Sequence, residues 1–218
     1  MVTKRKVIVF DLDDTLYKEI EFLKSGFRAI IKAVSKDFSV RLDFNEIYKL
    51  YEEKKNVFDT IIEQNNSDKI TKKYLLDRYR NHFPDIRPDN SVMKFLERLK
   101  NKDAVLGIIT DGRSVTQRNK LKALGILDLF DDIIISEESG SNKLSEENYF
   151  YYVSKYPDCK YYYVGDNVRK DFVIPNKLNW QTFGIRDYKF LNIHPQNIDV
   201  PVGYLPDKWV DSVDLLIL

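Results

Sequence analysis

Five short runs, each almost wholly apolar, limit what this chain can fold into: Val7 to Phe10, Ala104 to Ile109, Ile133 to Ile135, Tyr161 to Val164 and Thr182 to Ile185. They are rich in β-branched and aromatic residues and lack the in–out alternation of a half-solvated strand. They read as strands buried on both faces, as in a parallel sheet. Helical patterns separate them. Val92, Phe95, Leu96 and Leu99 recur at helical spacing behind a cap at Asp89 or Asn90. A further helix opens near Ser114 and ends at Gly125, and another runs from about Ser145 to Tyr156 and stops at Pro157. This alternation predicts an α/β fold, a Rossmann-like, doubly wound parallel sheet with right-handed crossovers.

One stretch breaks the alternation. Residues 18–88 contain no convincing strand. Phe27, Ile30, Ile31, Val34 and Phe38 make one apolar helical stripe, Asp43 to Glu46 resembles a capping box ahead of Ile47, Leu50 and Tyr51, and Tyr74, Leu75, Arg78 and Tyr79 suggest a third helix after a polar loop at Glu63 to Lys69. The expected organisation is a catalytic core of residues 1–17 and 89–218 carrying a helical cap, residues 18–88. An insertion placed just after the first strand would sit over the C-terminal end of the sheet, where open α/β sheets bind ligands. The final thirty residues, with Pro195, Pro201 and Pro206 and the apolar ending Leu215 to Leu218, match no element. No internal repeat is evident.

Composition removes several function classes. Lys and Arg number 35 against 34 Asp and Glu, so the net charge of +1 gives no general attraction to nucleic acid or to an anionic membrane. The single cysteine, Cys159, excludes a disulfide framework and a cysteine-based zinc cluster, and two histidines, His82 and His194, supply nucleophilic triads poorly. Chemistry here is expected to run on Asp or Glu. Lys4 to Lys6 precede only four apolar residues, too few for a signal peptide, and no run approaches a membrane span. A cytoplasmic protein is the expectation. Seven tyrosines between Tyr149 and Tyr163, with Lys155 and Lys160, are better explained by packing than by a nucleic-acid surface. Lys24, Arg28, Lys32 and Lys36 recur every four residues, which suits a solvated helix face more than an anion site.

The strand ends carry the polar residues. Asp11-Leu12-Asp13-Asp14-Thr15 follows the first strand, and two carboxylates two apart after a buried strand are costly unless they are paired or hold a cation. Thr110-Asp111-Gly112 follows the second, offering a hydroxyl to a phosphate oxygen and a turn into a helix whose first N–H groups favour an anion. Lys143 lies in the polar loop after the third, and Gly165-Asp166, with Asp171 five residues on, follows the fourth. Each alone is an ordinary turn or cap residue. Together they place Asp, Thr, Lys and Asp in order at the C-terminal ends of four strands.

Those four groups resemble the motifs of the haloacid dehalogenase (HAD) superfamily, and the likeness extends over nearly the whole chain, cap included. The resemblance implies phosphoryl transfer through a covalent aspartyl-phosphate. Asp11 would attack phosphorus, and Asp13 would protonate the leaving oxygen and then deprotonate water. Thr110, Asp111 and Lys143 would bind the substrate phosphate. Mg²⁺ would sit between the Asp11 carboxylate, the Asp13 backbone carbonyl and the Asp166 carboxylate, with Asp171 close by. The second acid, Asp13, favours an oxygen leaving group over the halide or carbon leaving groups of other members. The expectation is a Mg²⁺-dependent phosphatase of a small phosphorylated metabolite, a sugar phosphate or nucleoside monophosphate, with no nucleic-acid or membrane partner. A phosphomutase with the same nucleophile and a catalytically silent binding or regulatory protein are the alternatives.

Overall fold

The computed structural model describes residues 4–65, 68–187, 189 and 191–216. Six strands form one all-parallel sheet: β1 (Lys6–Phe10), β2 (Val105–Thr110), β3 (Asp132–Ile135), β4 (Lys160–Gly165), β5 (Gln181–Ile185) and β6 (Lys208–Val210), in the order β3-β2-β1-β4-β5-β6. The chain builds outward from β1 to β3, then returns to the other side of β1 for β4. That reversal opens a crevice at the C-terminal ends of β1, β2 and β4.

The five expected strands are present, with boundaries moved by a residue or so. The sixth, β6, is three residues long and too short to leave a pattern. The strand at the β3 edge is also less buried than its composition suggests, with Ile133 and Ile134 only half-buried. Between strands lie α5 (Asn90–Lys100), α6 (Ser114–Ala123), α7 (Ser136–Ser139), α8 (Glu146–Lys155) and α9 (Val173–Lys177). Asp89, not Asn90, is the cap of α5: its side chain accepts from the Ser91 N–H at 3.0 Å.

Register explains the tyrosine tract. Val7 pairs with Tyr161 and Val9 with Tyr163, so these side chains share one face of the sheet. There Tyr149 and Tyr152 of α8 pack with Tyr163, Phe172 and Trp180 in a buried cluster. Gly107 lies opposite Val9, and a Cβ at this position would come within 2.5 Å of the Tyr152 ring, so the close approach of α8 to β2 requires a glycine. The Tyr152 hydroxyl donates to the carbonyls of Ile108 and Asp132, both at 3.2 Å.

The chain divides into two compact units, one of residues 1–20 and 87–218 and one of residues 21–86. The second is all-helical among its described residues. It comprises α1 (Glu19–Phe38, whose first two residues belong to the first unit), α2 (Phe44–Glu52), α3 (Val57–Asn65) and α4 (Lys72–Asn81). Sequence periodicity gave three helices here. The fourth, α3, buries only Val57 and Ile61 and takes in Glu63 to Asn65, the start of the expected polar loop; Asn66 and Ser67 lie outside the described residues. Asp43 caps α2 through the Asn45 and Glu46 N–H groups at 2.8 and 3.1 Å. Lys32 and Lys36 are exposed, while the Arg28 guanidinium lies 4.5 Å from the Phe44 ring centre, so the basic row is in part a packing surface. No described helix is long and apolar enough to cross a membrane. Of the apolar ending, Leu215 and Leu216 are described, and Ile217 and Leu218 lie outside the described residues.

Candidate active site

The parallel sheet delivers the polar loops to one rim. Asp11 leaves β1 with its N–H still bonded to the Val164 carbonyl at 2.8 Å, so the β1 and β4 loops begin side by side. One carboxylate oxygen each from Asp11, Asp166 and Asp171 lies within 4.8 Å of the others, and all three residues are buried. Lys143 reaches into the same place. Its Nζ lies 2.6 Å from Asp11 Oδ1 and 2.7 Å from Asp171 Oδ1. The Lys143 N–H donates to Asp111 Oδ1 at 3.0 Å, and its carbonyl accepts from the Tyr149 hydroxyl at 2.9 Å, which ties the loop to the core.

Gly165 makes the β4 loop possible. A Cβ here would lie 2.4 Å from Asp171 Oδ2, so only glycine lets that carboxylate fold under the strand end. Asp171 Oδ2 then accepts from the N–H groups of Asp166 and Asn167 at 3.0 and 2.9 Å. With Oδ1 on Lys143, both Asp171 oxygens are engaged in holding other site residues.

Charge in this cluster does not balance. Three buried carboxylates face one ammonium. Burial pushes Asp11 up to about 8 despite Lys143, and neighbouring Asp171 and Asp13 add to the rise. Burial, with Asp171 and Asp11 nearby, drives Asp166 well above the ordinary carboxylate range. Burial disfavours the Lys143 ammonium, yet Asp11 and Asp171 hold it firmly charged. A hard divalent cation binds carboxylate oxygens and removes this excess negative charge, so the donor set fits Mg²⁺.

The second acid is placed differently. The Asp13 carboxylate is not part of the cluster. Its Oδ1 accepts from the Tyr17 hydroxyl and from Lys120 Nζ at 2.7 Å, and its Oδ2 accepts from Gln117 Nε2 at 2.9 Å. Burial would raise Asp13, but Lys120, Tyr17 and Gln117 together hold the group below its usual range. Gln117 also donates to Thr110 Oγ1 at 2.7 Å, which joins the β1 and β2 loops and leaves the threonine's own hydrogen for another acceptor. Lys120 is 3% exposed and stands 3.9 Å from Glu19 as well. Burial and the Asp13 charge push Glu19 up to about 8.

Sequence patterns singled out Asp11, Asp13, Thr110, Asp111, Lys143, Asp166 and Asp171, and all seven lie at this rim. Asp111 uses its carboxylate internally, on the Lys143 N–H and on Lys170 Nζ at 2.6 Å. The anion expected at the start of α6 is supplied by the chain itself: Glu137 Oε2 accepts from the Ser114 N–H at 2.8 Å. Sequence reasoning missed Tyr17, Gln117, Lys120, Lys170, Asn192 and His194. A cavity of about 100 Å³ lies among Asp11, Thr110, Lys143, Asp166, Lys170 and His194. A larger hollow of about 570 Å³ lies beside Lys4 to Lys6 and Lys102 at the opposite ends of the strands, and among the described residues that line it Asp103 is the one carboxylate.

Comparison with known proteins follows the same lines. Residues 8–185 match the model of the haloacid dehalogenase-like hydrolase family. A glyceraldehyde 3-phosphate phosphatase of Methanocaldococcus jannaschii is 33% identical over 85% of this chain and 86% of that protein. One from Methanopyrus kandleri is 28% identical over 97% of each chain. A crystal structure of a predicted phosphoglycolate phosphatase from Haemophilus somnus superposes with a TM-score of 0.63 at 20% identity, covering 97% of this chain and 96% of that one, a likeness of fold.

Proposed function

The chain belongs to the haloacid dehalogenase-like hydrolase family, and from that premise we propose that it is a Mg²⁺-dependent phosphatase of a small sugar phosphate, acting through a covalent aspartyl-phosphate. One observation carries this reading: Lys143 reaches Asp11 and Asp171 beside Asp166, in a cavity that Thr110 also lines. The relatives named for glyceraldehyde 3-phosphate favour a three-carbon sugar phosphate as substrate.

In this reading Asp11 attacks phosphorus in line with the ester oxygen. The P–O bond to the sugar breaks, its electron pair leaves with that oxygen, and Asp13 delivers a proton to it. Lys143 and Thr110 hold the phosphoryl oxygens, and their donors compensate charge that spreads over those oxygens in the transition state. Water then attacks the aspartyl-phosphate, Asp13 takes its proton, and Asp11 is regenerated with release of inorganic phosphate. Mg²⁺ held by Asp11, Asp166 and the Asp13 carbonyl would offset the repulsion between a carboxylate and a phosphate dianion. The site favours the ionised form of Asp13, so Asp13 takes up a proton from solvent before the acid step of a first turnover and regains one from water in each base step. The helical unit follows the Asp11 to Thr15 loop in the chain, which supports its role as the cap that selects the substrate.

The test is phosphate release from glyceraldehyde 3-phosphate, other sugar phosphates and nucleoside monophosphates, with Mg²⁺ or with EDTA. Asp11→Asn and Asp13→Asn should each nearly abolish Mg²⁺-dependent release. Full activity in the Asp11 variant rules out the covalent scheme. An isomerised sugar phosphate without free phosphate makes the protein a phosphomutase.

A further inference from the structure

The segment after β5 belongs to none of the four strand-end loops, yet it is fastened to two of them. Asn192 Nδ2 donates to Asp166 Oδ2 at 2.8 Å. Gln196 Nε2 donates to the Asp166 backbone carbonyl at 3.0 Å. The Ile193 N–H donates to Asp14 Oδ2 at 3.0 Å, in the loop after β1.

Asn192 is itself held on both sides. Its side-chain oxygen accepts from Lys18 Nζ at 2.6 Å, and its backbone N–H donates to Asp187 Oδ2 at 2.8 Å. With its oxygen taken by an ammonium, the Asn192 amide can present only its NH₂ to Asp166. We propose that Asn192 is a positioning residue of the cation site, fixing the rotation of the Asp166 carboxylate so that its remaining lone pairs meet those of Asp11 around one divalent ion. The inference rests on the reading of Asp166 as a cation ligand.

The physical reason is geometric. A carboxylate on a single freely rotating side chain must be ordered each time an ion binds, and a donor that holds one oxygen beforehand removes that cost. Partners of this kind commonly change metal affinity 10- to 100-fold. Asp171, whose two oxygens are engaged by Lys143 and by backbone N–H groups, shows the same arrangement by other means.

The experiment titrates the full chain with Mn²⁺ and follows free ion by electron paramagnetic resonance, which needs no turnover. The wild type should bind Mn²⁺, and Asp166→Asn should lose it. Asn192→Leu, similar in size and without a donor, should raise the dissociation constant by roughly 10- to 100-fold at unchanged stoichiometry. Lys18→Met, which frees the amide without touching Asp166, should shift it in the same direction by less. A misfolded fraction lowers the stoichiometry instead of the affinity, so the two effects separate. Wild-type affinity in Asn192→Leu, with binding lost in Asp166→Asn, overturns the assignment of Asn192 alone. Wild-type affinity in Asp166→Asn overturns the cation site and this inference together.

Discussion

Removing the Asp11 charge should make the metal-free protein more stable. Asp11 is buried, and in the folded chain it rises from the ordinary 3.8 to about 8. A raised value means that the folded state holds the proton more tightly than the unfolded chain does. The stability tied to this proton is full below the unfolded value and is lost as pH rises from about 4 towards 8. At pH 7 that is about three decades of proton affinity, and at ~1.4 kcal/mol per decade the loss is about 4 kcal/mol. Asp11→Asn is isosteric and neutral, and Lys143 keeps Asp171 at 2.7 Å. Allowing for a weaker bond from Lys143 to an amide, the gain in EDTA at pH 7 should be roughly 2–4 kcal/mol, or a melting temperature higher by roughly 4–12 °C. The assay is thermal unfolding of both proteins from pH 4 to 8, with and without Mg²⁺. The gap should close at pH 4, and added Mg²⁺ should raise the wild type more than the variant, because binding stabilises by mass action. An Asp11→Asn protein no more stable than wild type in EDTA at pH 7 refutes the claim of excess negative charge.

Two further outcomes follow from the geometry. Lys120→Met strands the Asp13 carboxylate without its cation and should cost about 3–5 kcal/mol in urea unfolding, most of it recovered in the double variant with Asp13→Asn, which removes the Asp13 charge. Gly165→Ala, whose Cβ would lie 2.4 Å from Asp171 Oδ2, must displace that carboxylate and with it Lys143; phosphate release should fall roughly a hundredfold, measured beside a denaturation curve that registers any loss of fold.

Legibility in the sequence varied with range. The five longer strands could be read because burial on both faces demands uninterrupted apolar runs, and the strand-end acids because they interrupt those runs abruptly. Lys143 was legible for its place after the third strand. Lys120 was not. It stands in Asn119-Lys120-Leu121-Lys122, where composition gives no sign that position 120 points inward and position 122 outward. Helix α3 was missed because two buried residues in nine make a faint stripe, and β6 because Lys208-Trp209-Val210 is too short for a pattern. Asn192, Ile193 and Gln196 lie in a segment without periodicity, and their meaning comes from partners at positions 166, 18 and 14, which only the folded path brings near.

That last attachment bears on how the molecule is made. Ile193 grips Asp14 across 179 positions of chain. During synthesis the N-terminal end leaves the ribosome first. Asp14 of the first loop therefore emerges long before the residue that will clasp it, and remains unclasped until a further 179 positions have been translated. A product that stopped after β5 would keep every motif residue and lack the clasp, so the site is finished only by residues made after all of its motifs.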